Sequence, residues 1–506
     1  MPEKEFLIGV DIGTLGSKGV IIDSEGKLLS SFFMEHTIDI PRPGWVEQDP
    51  ERIYWREFKT IVARLLKESG VSPERVAGIG VSSLSPDACP VDENKRPLRP
   101  TIIYMDRRAV EECELVKKKF GEDKIVKITG NAVDPYFSGY KMLWLMRNEP
   151  ETYKKTWKFL NACKYVVLKL TDVPSIDISN AVLAAPFFDY SKRSWNKEIC
   201  SELGFDLEKL PEVFKIGEVI GEVTAEAAKE LGLVEGIPVI SCGPDAMMSY
   251  YSVGALDEGD SVFMYGTTGC WGIITSKPVI DPRLINSFYL GDDKYISLAG
   301  MVTTGALVRW FRDEFGTVEL DVEKAAGISA YSILDREAEK IPPGSEGVII
   351  LPYFMGERTP IWDPKARGVI FGLTLYHTKA HVYRAVLESA GYALKQHIEI
   401  IKELGIPVKR VIAVNGGARS KLWRQIISDI TGLSQQYIAE APGAPYGDAF
   451  LAGVASGVFE DMTQIRRHVR IAEETKPNEE NSRKYEKLYE VYKELYPRLM
   501  ELMHKL

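Results

Sequence analysis

The chain has 506 residues, of which 45% are hydrophobic and 27% charged, and a formal net charge of −9 at pH 7. That length is too great for one ordinary core and predicts two domains. The acidic balance argues against a nucleic-acid partner, which needs a basic surface to offset phosphate charge. No apolar run reaches the length of a membrane span, so no membrane partner is expected. The first ten residues, MPEKEFLIGV, hold acids and no long apolar stretch, so no signal peptide is expected. The six cysteines are scattered without a CxxC pair, which fits a reducing compartment, and a cytoplasmic location is expected.

In chain order, residues 6–34 alternate apolar and small or polar positions between glycine turns and read as a strand meander. The loop PRPGWVEQDP ends in Asp49-Pro50, which opens a helix near 51–69 with Ile53, Phe58, Ile61, Val62, Leu65 and Leu66 at helical spacing. Residues 76–83 form a short buried strand, and 110–175 are mostly helical. The apolar strand IPVISC leads to a helix from Asp245 to about residue 254. The turn GALDEGD follows and marks the junction between a first domain, 1–254, and a second, 255–506. Strands restart at 261. Helices are expected at 304–315, 377–404, 420–431 and near 447–456, with the loop FMGERTPIWDPKARG among them. The tail, 479–506, reads as an amphipathic helix with Tyr485, Leu488, Tyr489, Tyr492, Leu495 and Tyr496 on one face and a kink at Pro497. Strand–helix–strand alternation makes the class α/β.

Two glycine–hydroxyl turns, half a chain apart, carry the chemistry. In DIGTLGSKG, Gly13 and Gly16 let backbone N–H groups turn inward, Thr14 and Ser17 add hydroxyls, and Lys18 adds positive charge. The segment is not GxxxxGK[ST], and a strand rather than a helix follows it. YGTTG, Tyr265–Gly269, echoes it in the second half, which suggests an ancient duplication of a whole domain. Asp11 ends a buried strand, where a carboxylate is costly unless it meets a cation or donors. Mg2+, bound directly or through water, would resolve that; capping its own turn is the alternative. Asp245 follows an apolar strand and Gly243-Pro244, as a helix N-cap or as a general base for an attacking hydroxyl. Gly416 and Gly417, in the strand–turn–helix VNGGARSKLWRQIISDITG, would let the backbone lie flat against a nucleobase, or would merely turn the chain. His377 and His381 stand four apart with no acidic third ligand and are assigned to surface or packing roles rather than to metal.

Longer strings make the pattern recognisable. YFSGYKMLWLMRN (Tyr136–Asn148) and GVIFGLTLYHTKAHVYRAVLE (Gly368–Glu388), with PGWVEQDP and GERTPIWDPKARG, resemble the FGGY carbohydrate kinases of the actin-like ATPase superfamily. The family likeness runs from Gly9 to about Gly457, and PGWVEQDP and GERTPIWDPKARG also look like the xylulokinase and gluconokinase branches. It implies two ribonuclease H-like domains flanking a cleft, with ATP mainly on the second and the sugar mainly on the first. It implies that Asp11 holds Mg2+ through water and that Thr14 and Lys18 face the transferring phosphate, with Thr267 and Thr268 opposite. Gly305 and Arg309 fall where the family contacts ADP, Gly416, Gly417 and Lys421 fall on the adenosine stretch, and Asp245 matches the catalytic base.

The acceptor side departs from the family. Ser85 and Pro86 stand where xylulokinases carry Met-His and glycerol kinases carry Arg-Glu. Tyr104 replaces the aromatic platform Trp of glycerol kinases, Tyr136 matches their tyrosine, and Ala246 replaces an Asn or Gln. Asn415 replaces the first glycine of the adenosine stretch. Ser85, Tyr104, Tyr136 and Asp245 are therefore the expected acceptor contacts. The expected reaction is ATP-dependent phosphorylation of a sugar or polyol hydroxyl, with a pentulose as leading acceptor and gluconate, ribulose, glycerol or another polyol as alternatives. Readings of another class are a non-catalytic ATP-driven switch and a sugar sensor on the same fold. A homodimer is expected by family analogy only.

Overall fold

A computed structural model describes residues 4–291 and 293–506. The apolar runs Phe6–Ile12 (β1), Gly16–Ile22 (β2) and Leu28–Glu35 (β3) pair antiparallel in sequence order. β1 and β2 are mostly buried, whereas β3 alternates with solvent and forms the edge of the sheet. The helix Arg56–Ser69 (α1) covers one face, its apolar stripe buried as the 3.6-residue spacing predicts. The chain returns through Val76–Ser83 (β4), buried at all eight positions and parallel to β1. Helix Ala162–Thr171 (α2) packs on the same sheet. Val219–Glu222 (β5) and Pro238–Pro244 (β6) complete it in the order β5-β6-β4-β1-β2-β3. Helix Asp245–Ser252 (α3) follows β6 directly.

The second half repeats the pairing pattern. Asp260–Tyr265 (β7) pairs antiparallel with Gly269–Thr275 (β8), as β1 pairs with β2. Ile285–Phe288 (β9) and Tyr295–Met301 (β10) extend the sheet on that side. Helices Gly305–Phe315 (α4) and Lys379–Glu403 (α5) follow. Arg410–Val414 (β11) then pairs parallel with β7, as β4 pairs with β1. Helix Lys421–Thr431 (α6), strand Gln435–Tyr437 (β12), helix Ala444–Ala455 (α7), strand Glu473–Thr475 (β13) and helix Glu479–Met503 (α8) end the fold. The sheet order is β9-β10-β8-β7-β11-β12-β13.

One helix does not stay with its own half. α7 lies across β1 and β4 and against α3, so the second half of the chain covers the first sheet. The approach is close enough to demand glycine: a Cβ on Gly9 would lie 1.9 Å from the Pro445 carbonyl oxygen. A buried cluster joins the two lobes, with Tyr136, Tyr250, Phe288 and Phe450 among its members. A reciprocal clasp adds to it: the Asn286 N–H donates to Asn131 Oδ1 at 2.8 Å and Asn131 Nδ2 donates to the Asn286 carbonyl at 3.0 Å.

Some boundaries differ from those expected. His377 lies before α5 and accepts from the Thr374 N–H, while the side chains of His381 and Thr378 form a capping box. α8 runs unbroken to Met503 through Pro497, with Tyr485, Tyr489, Tyr492 and Leu495 buried on α5 and its neighbours. All six cysteines are free thiols. Among the described residues, no helix is long and apolar enough to cross a membrane.

Candidate active site

The first turn joins β1 to β2. Its Gly13 N–H donates to the Gly16 carbonyl at 3.0 Å. His36 Nε2 stands 3.1 Å from the Gly13 carbonyl, and Gln48 Nε2 donates to the Thr14 carbonyl at 3.0 Å. His36 is itself held by Glu57, 2.9 Å from Nδ1, so a buried network braces the turn. Lys18 sits opposite Asp11 in the β1–β2 register and donates to the Pro442 carbonyl at 3.3 Å, reaching the segment that leads into α7. Burial lowers its pKa, against the pull of Asp11.

Asp11 does not cap its own turn. Its carboxylate accepts from Ser82 Oγ on β4 at 3.1 Å. Burial raises its pKa to about 8, with the Asp245 charge adding to the effect. Asp245 is the first residue of α3 rather than its N-cap, which is Pro244, and accepts from the Ala246 N–H at 2.6 Å. Burial pushes its carboxyl up to about 6. The two half-buried aspartates therefore feel one another's charge, and two full negative charges so placed are unfavourable without a cation.

The second turn, 266–268, joins β7 to β8. It is stitched to the start of α4: the Gly305 N–H donates to the Gly266 carbonyl at 2.9 Å, and the Ala306 N–H to the Thr267 carbonyl at 2.9 Å. Just beyond the turn, Cys270 Sγ lies 3.1 Å from the Tyr250 hydroxyl on α3, which ties the turn to the helix headed by Asp245. A cavity of about 660 Å3 opens beside it, lined by Thr267, Gly305, Arg309, Gly416 and Gly417 together with Tyr331 and Asp335. Gly417 presents bare backbone there because a Cβ would lie 2.5 Å from the Trp423 ring. Asp335 accepts from Ser420 Oγ at 2.7 Å and the Tyr383 hydroxyl at 2.9 Å, and burial raises its pKa. Two expected contacts lie elsewhere. Thr268 is exposed and outside the lining, and the Lys421 side chain, 78% exposed, points toward Glu473 at 3.6 Å.

The expected acceptor contacts come together on the first lobe. The Tyr136 hydroxyl donates to the Ser85 carbonyl at 3.4 Å, and the Tyr104 and Tyr136 rings meet edge to face at 6.2 Å. Ser85 Oγ donates to Asn180 Oδ1. Thr14 Oγ1 donates to the Tyr104 hydroxyl at 3.4 Å, which links this group to the first turn. Two residues from the second lobe reach across, and the sequence reading gave neither a role. Trp362 packs at 6.0 Å from Tyr136, and the Arg358 guanidinium stands 6.0 and 5.9 Å from the Tyr104 and Tyr136 rings. Both lie in GERTPIWDPKARG, a string whose family likeness was visible but whose approach to Tyr136 depends on how the lobes pack.

The donor set suits a hard cation. Asp11 offers carboxylate oxygens in an acidic gap, and Mg2+ is commonly held by one or two carboxylates plus substrate phosphates rather than by an all-protein cage. Among the described residues no group of three or more His, Cys, Asp or Glu could hold a metal by itself. The glycine-lined cavity likewise suits a flat, phosphate-bearing ligand reaching from Gly416 and Gly417 toward the second turn.

Comparison with known proteins gives the family. The model of the FGGY family of carbohydrate kinases, N-terminal domain, matches residues 6–252, and that of the C-terminal domain matches 262–456. Xylulose kinase of Escherichia coli (strain K12) is 28% identical over 499 residues, covering 98% of this chain and 99% of that protein. Gluconokinase of Bacillus subtilis (strain 168) is 29% identical over 500 residues, covering 98% and 96%. The crystal structure of xylulose kinase from Rhodospirillum rubrum superposes with a TM-score of 0.90 at 27% identity, covering 99% of this chain and all of that one. The chain thus belongs to the FGGY family of carbohydrate kinases, and its mixed α/β two-domain architecture is the actin-like fold of that family.

Proposed function

We propose that the chain transfers the terminal phosphoryl group of ATP to a hydroxyl of a small sugar or polyol, with Asp245 as general base. The observation that carries this reading is that Asp11 and Asp245 bear on one another electrostatically, while Tyr250 of the Asp245 helix meets Cys270 just past the turn that borders the glycine-lined cavity. Asp245, held at its helix start, takes the proton of the attacking hydroxyl at a carboxylate oxygen. Tyr104, Tyr136 and Ser85 orient that hydroxyl, and the two turns would present Thr14 and Thr267 to the equatorial phosphate oxygens. Mg2+, held by Asp11, would neutralise charge on the transferring group. Phosphoryl transfer asks little covalent chemistry of the protein, so orientation dominates and supplies on the order of 7–11 kcal/mol of barrier reduction. Closing the gap also excludes water, the competing acceptor.

A pentulose is the leading acceptor, by likeness to the xylulose kinases. The Arg358 guanidinium favours a second, acid-sugar reading, because it makes no hydrogen bond or ion pair among the described residues and faces the acceptor tyrosines. A screen of ADP release with pentuloses, pentitols, hexuloses, aldonates, glycerol and inositols decides between them. Turnover with a ketopentose supports the first reading and turnover with an aldonate the second. ATP consumption that no small acceptor accelerates would contradict both.

A further inference from the structure

Asp448 has no role in the reading above, yet it is buried between the two halves of the chain. It sits on α7, fully buried, where that helix crosses the first sheet. Its Oδ2 stands 2.6 Å from Ser82 Oγ, and the same Ser82 oxygen stands 3.1 Å from Asp11 Oδ1. Among the described residues its Oδ1 has no hydrogen-bond partner of good geometry, and the Cys242 thiol also bears on the carboxyl. The groups around it are Asp11, Ser82 and Cys242; α7 also packs on β2 and α3, which carry Lys18 and Asp245.

A hydroxyl has one proton to give. If both aspartates were ionised, Ser82 could satisfy one, and the other would be a buried carboxylate facing an oxygen lone pair at hydrogen-bond distance. A proton on either aspartate removes the conflict, and when Asp11 is ionised toward a cation it is Asp448 that must carry it. Its Oδ2–H donates to Ser82 Oγ, Ser82 donates onward to Asp11 Oδ1, and the orphaned Oδ1 is then a neutral carbonyl oxygen, cheaper to bury than a carboxylate oxygen. Burial holds its pKa well above the usual carboxylate range and the Asp11 charge adds to this, against hydrogen bonding from the Ser82 hydroxyl, the Cys242 thiol and the Ser82 backbone N–H.

We propose that Asp448 is a positioning residue for Asp11: a neutral acid that donates to Ser82 and so commits the Ser82 proton to the Asp11 carboxylate, fixing the rotamer of the group that meets Mg2+. This rests on the reading of Asp11 as the Mg2+ carboxylate. It also makes a helix from the second half of the chain part of the phosphate site of the first.

Two readouts test it. The infrared carboxylic-acid C=O stretch of the protein saturated with Mg2+ and ADP, where Asp11 is ionised, taken as wild type minus Asp448→Asn, reports the proton without any turnover. A positive band is expected, and its absence would overturn the proposal. The second readout is the gain in ADP affinity when Mg2+ is added, measured by calorimetry. Asp448→Asn keeps an N–H donor toward Ser82 and is expected to stay within about 3-fold of wild type. Asp448→Leu, which has no donor, is expected to lose about 10- to 100-fold of that gain, the usual scale for groups that orient a metal carboxylate. Equal losses in the two variants, or none in Asp448→Leu, would contradict the proposal. If Asp448→Leu does not fold, the infrared band and the Asn variant still decide. A wild type showing the band but no Mg2+-dependent gain would retain the proton chain and refute the metal reading instead.

Discussion

Asp245 differs from an ordinary helix-start aspartate in where its charge goes. A capping carboxylate accepts from N–H groups two or three residues on and stays strongly acidic. Among the described residues Asp245 accepts only from the adjacent Ala246 N–H, and burial carries its pKa up to about 6. A general base must be ionised, so a raised pKa means that activity is lost as pH falls through about 6, not through about 4. A pH profile of kcat/KM should show its acid limb there, and a flat profile down to pH 4 would remove Asp245 from the role. Asn415 makes a second case at this scale. It stands at φ 75, ψ −179, a region that essentially only glycine occupies, beside the nucleotide-type cavity. Such strain costs of order 1–3 kcal/mol, against about 0.4–1 kcal/mol for the greater freedom glycine gives the unfolded chain. Asn415→Gly should therefore stabilise the protein by about 1 kcal/mol in denaturant titration, and destabilisation would show that the side chain contributes more than its strain costs. The substitution of a glycine was visible by likeness to the family string; the backbone angle that makes it costly was not.

Among the elements, α5 shows what periodicity reveals and what it hides. Its apolar spacing predicts a helix over 377–404, and the helix spans Lys379–Glu403, shortened at its start because Thr378 and His381 cap it. Spacing says nothing about His397, which is buried mid-helix and holds Thr359 of the Arg358 loop through Nε2 at 3.0 Å. Burial lowers its pKa to about 4. The folded chain therefore keeps it neutral while the unfolded chain protonates near pH 6.5, and stability falls as pH drops from about 6.5 to 4. The loss is on the order of 3 kcal/mol. Wild type should lose thermal stability steeply over that window and His397→Gln much less; parallel curves would contradict the assignment. α7 was expected near 447–456 and begins at Ala444, because Gly443 takes φ 84 and Pro445 fits the first helical turn. Its destination on the first sheet had no local signal: Gly9 and Gly80 look like ordinary strand glycines until the helix backbone lies against them.

At the scale of the whole molecule, two lobes repeat one strand pattern and share a buried core, the Asn131–Asn286 clasp and α7. The repeat was legible from two short turns, since each needs the same glycines and hydroxyls. The junction between lobes was not, because Arg358, Trp362 and Asp448 meet Tyr136 and Ser82 only after the chain has folded back across more than 200 residues. The proposed reaction falls in that junction, with Asp245 as the proposed base and the two turns as the proposed phosphate contacts. The most direct measurement follows phosphorylated acceptor by phosphorus NMR in wild type and Asp245→Asn, with ATP affinity measured on the same samples. The account predicts product in the wild type, a loss of about 100-fold or more in the variant, and ATP binding unchanged within about 3-fold. Undiminished product formation by Asp245→Asn would contradict it.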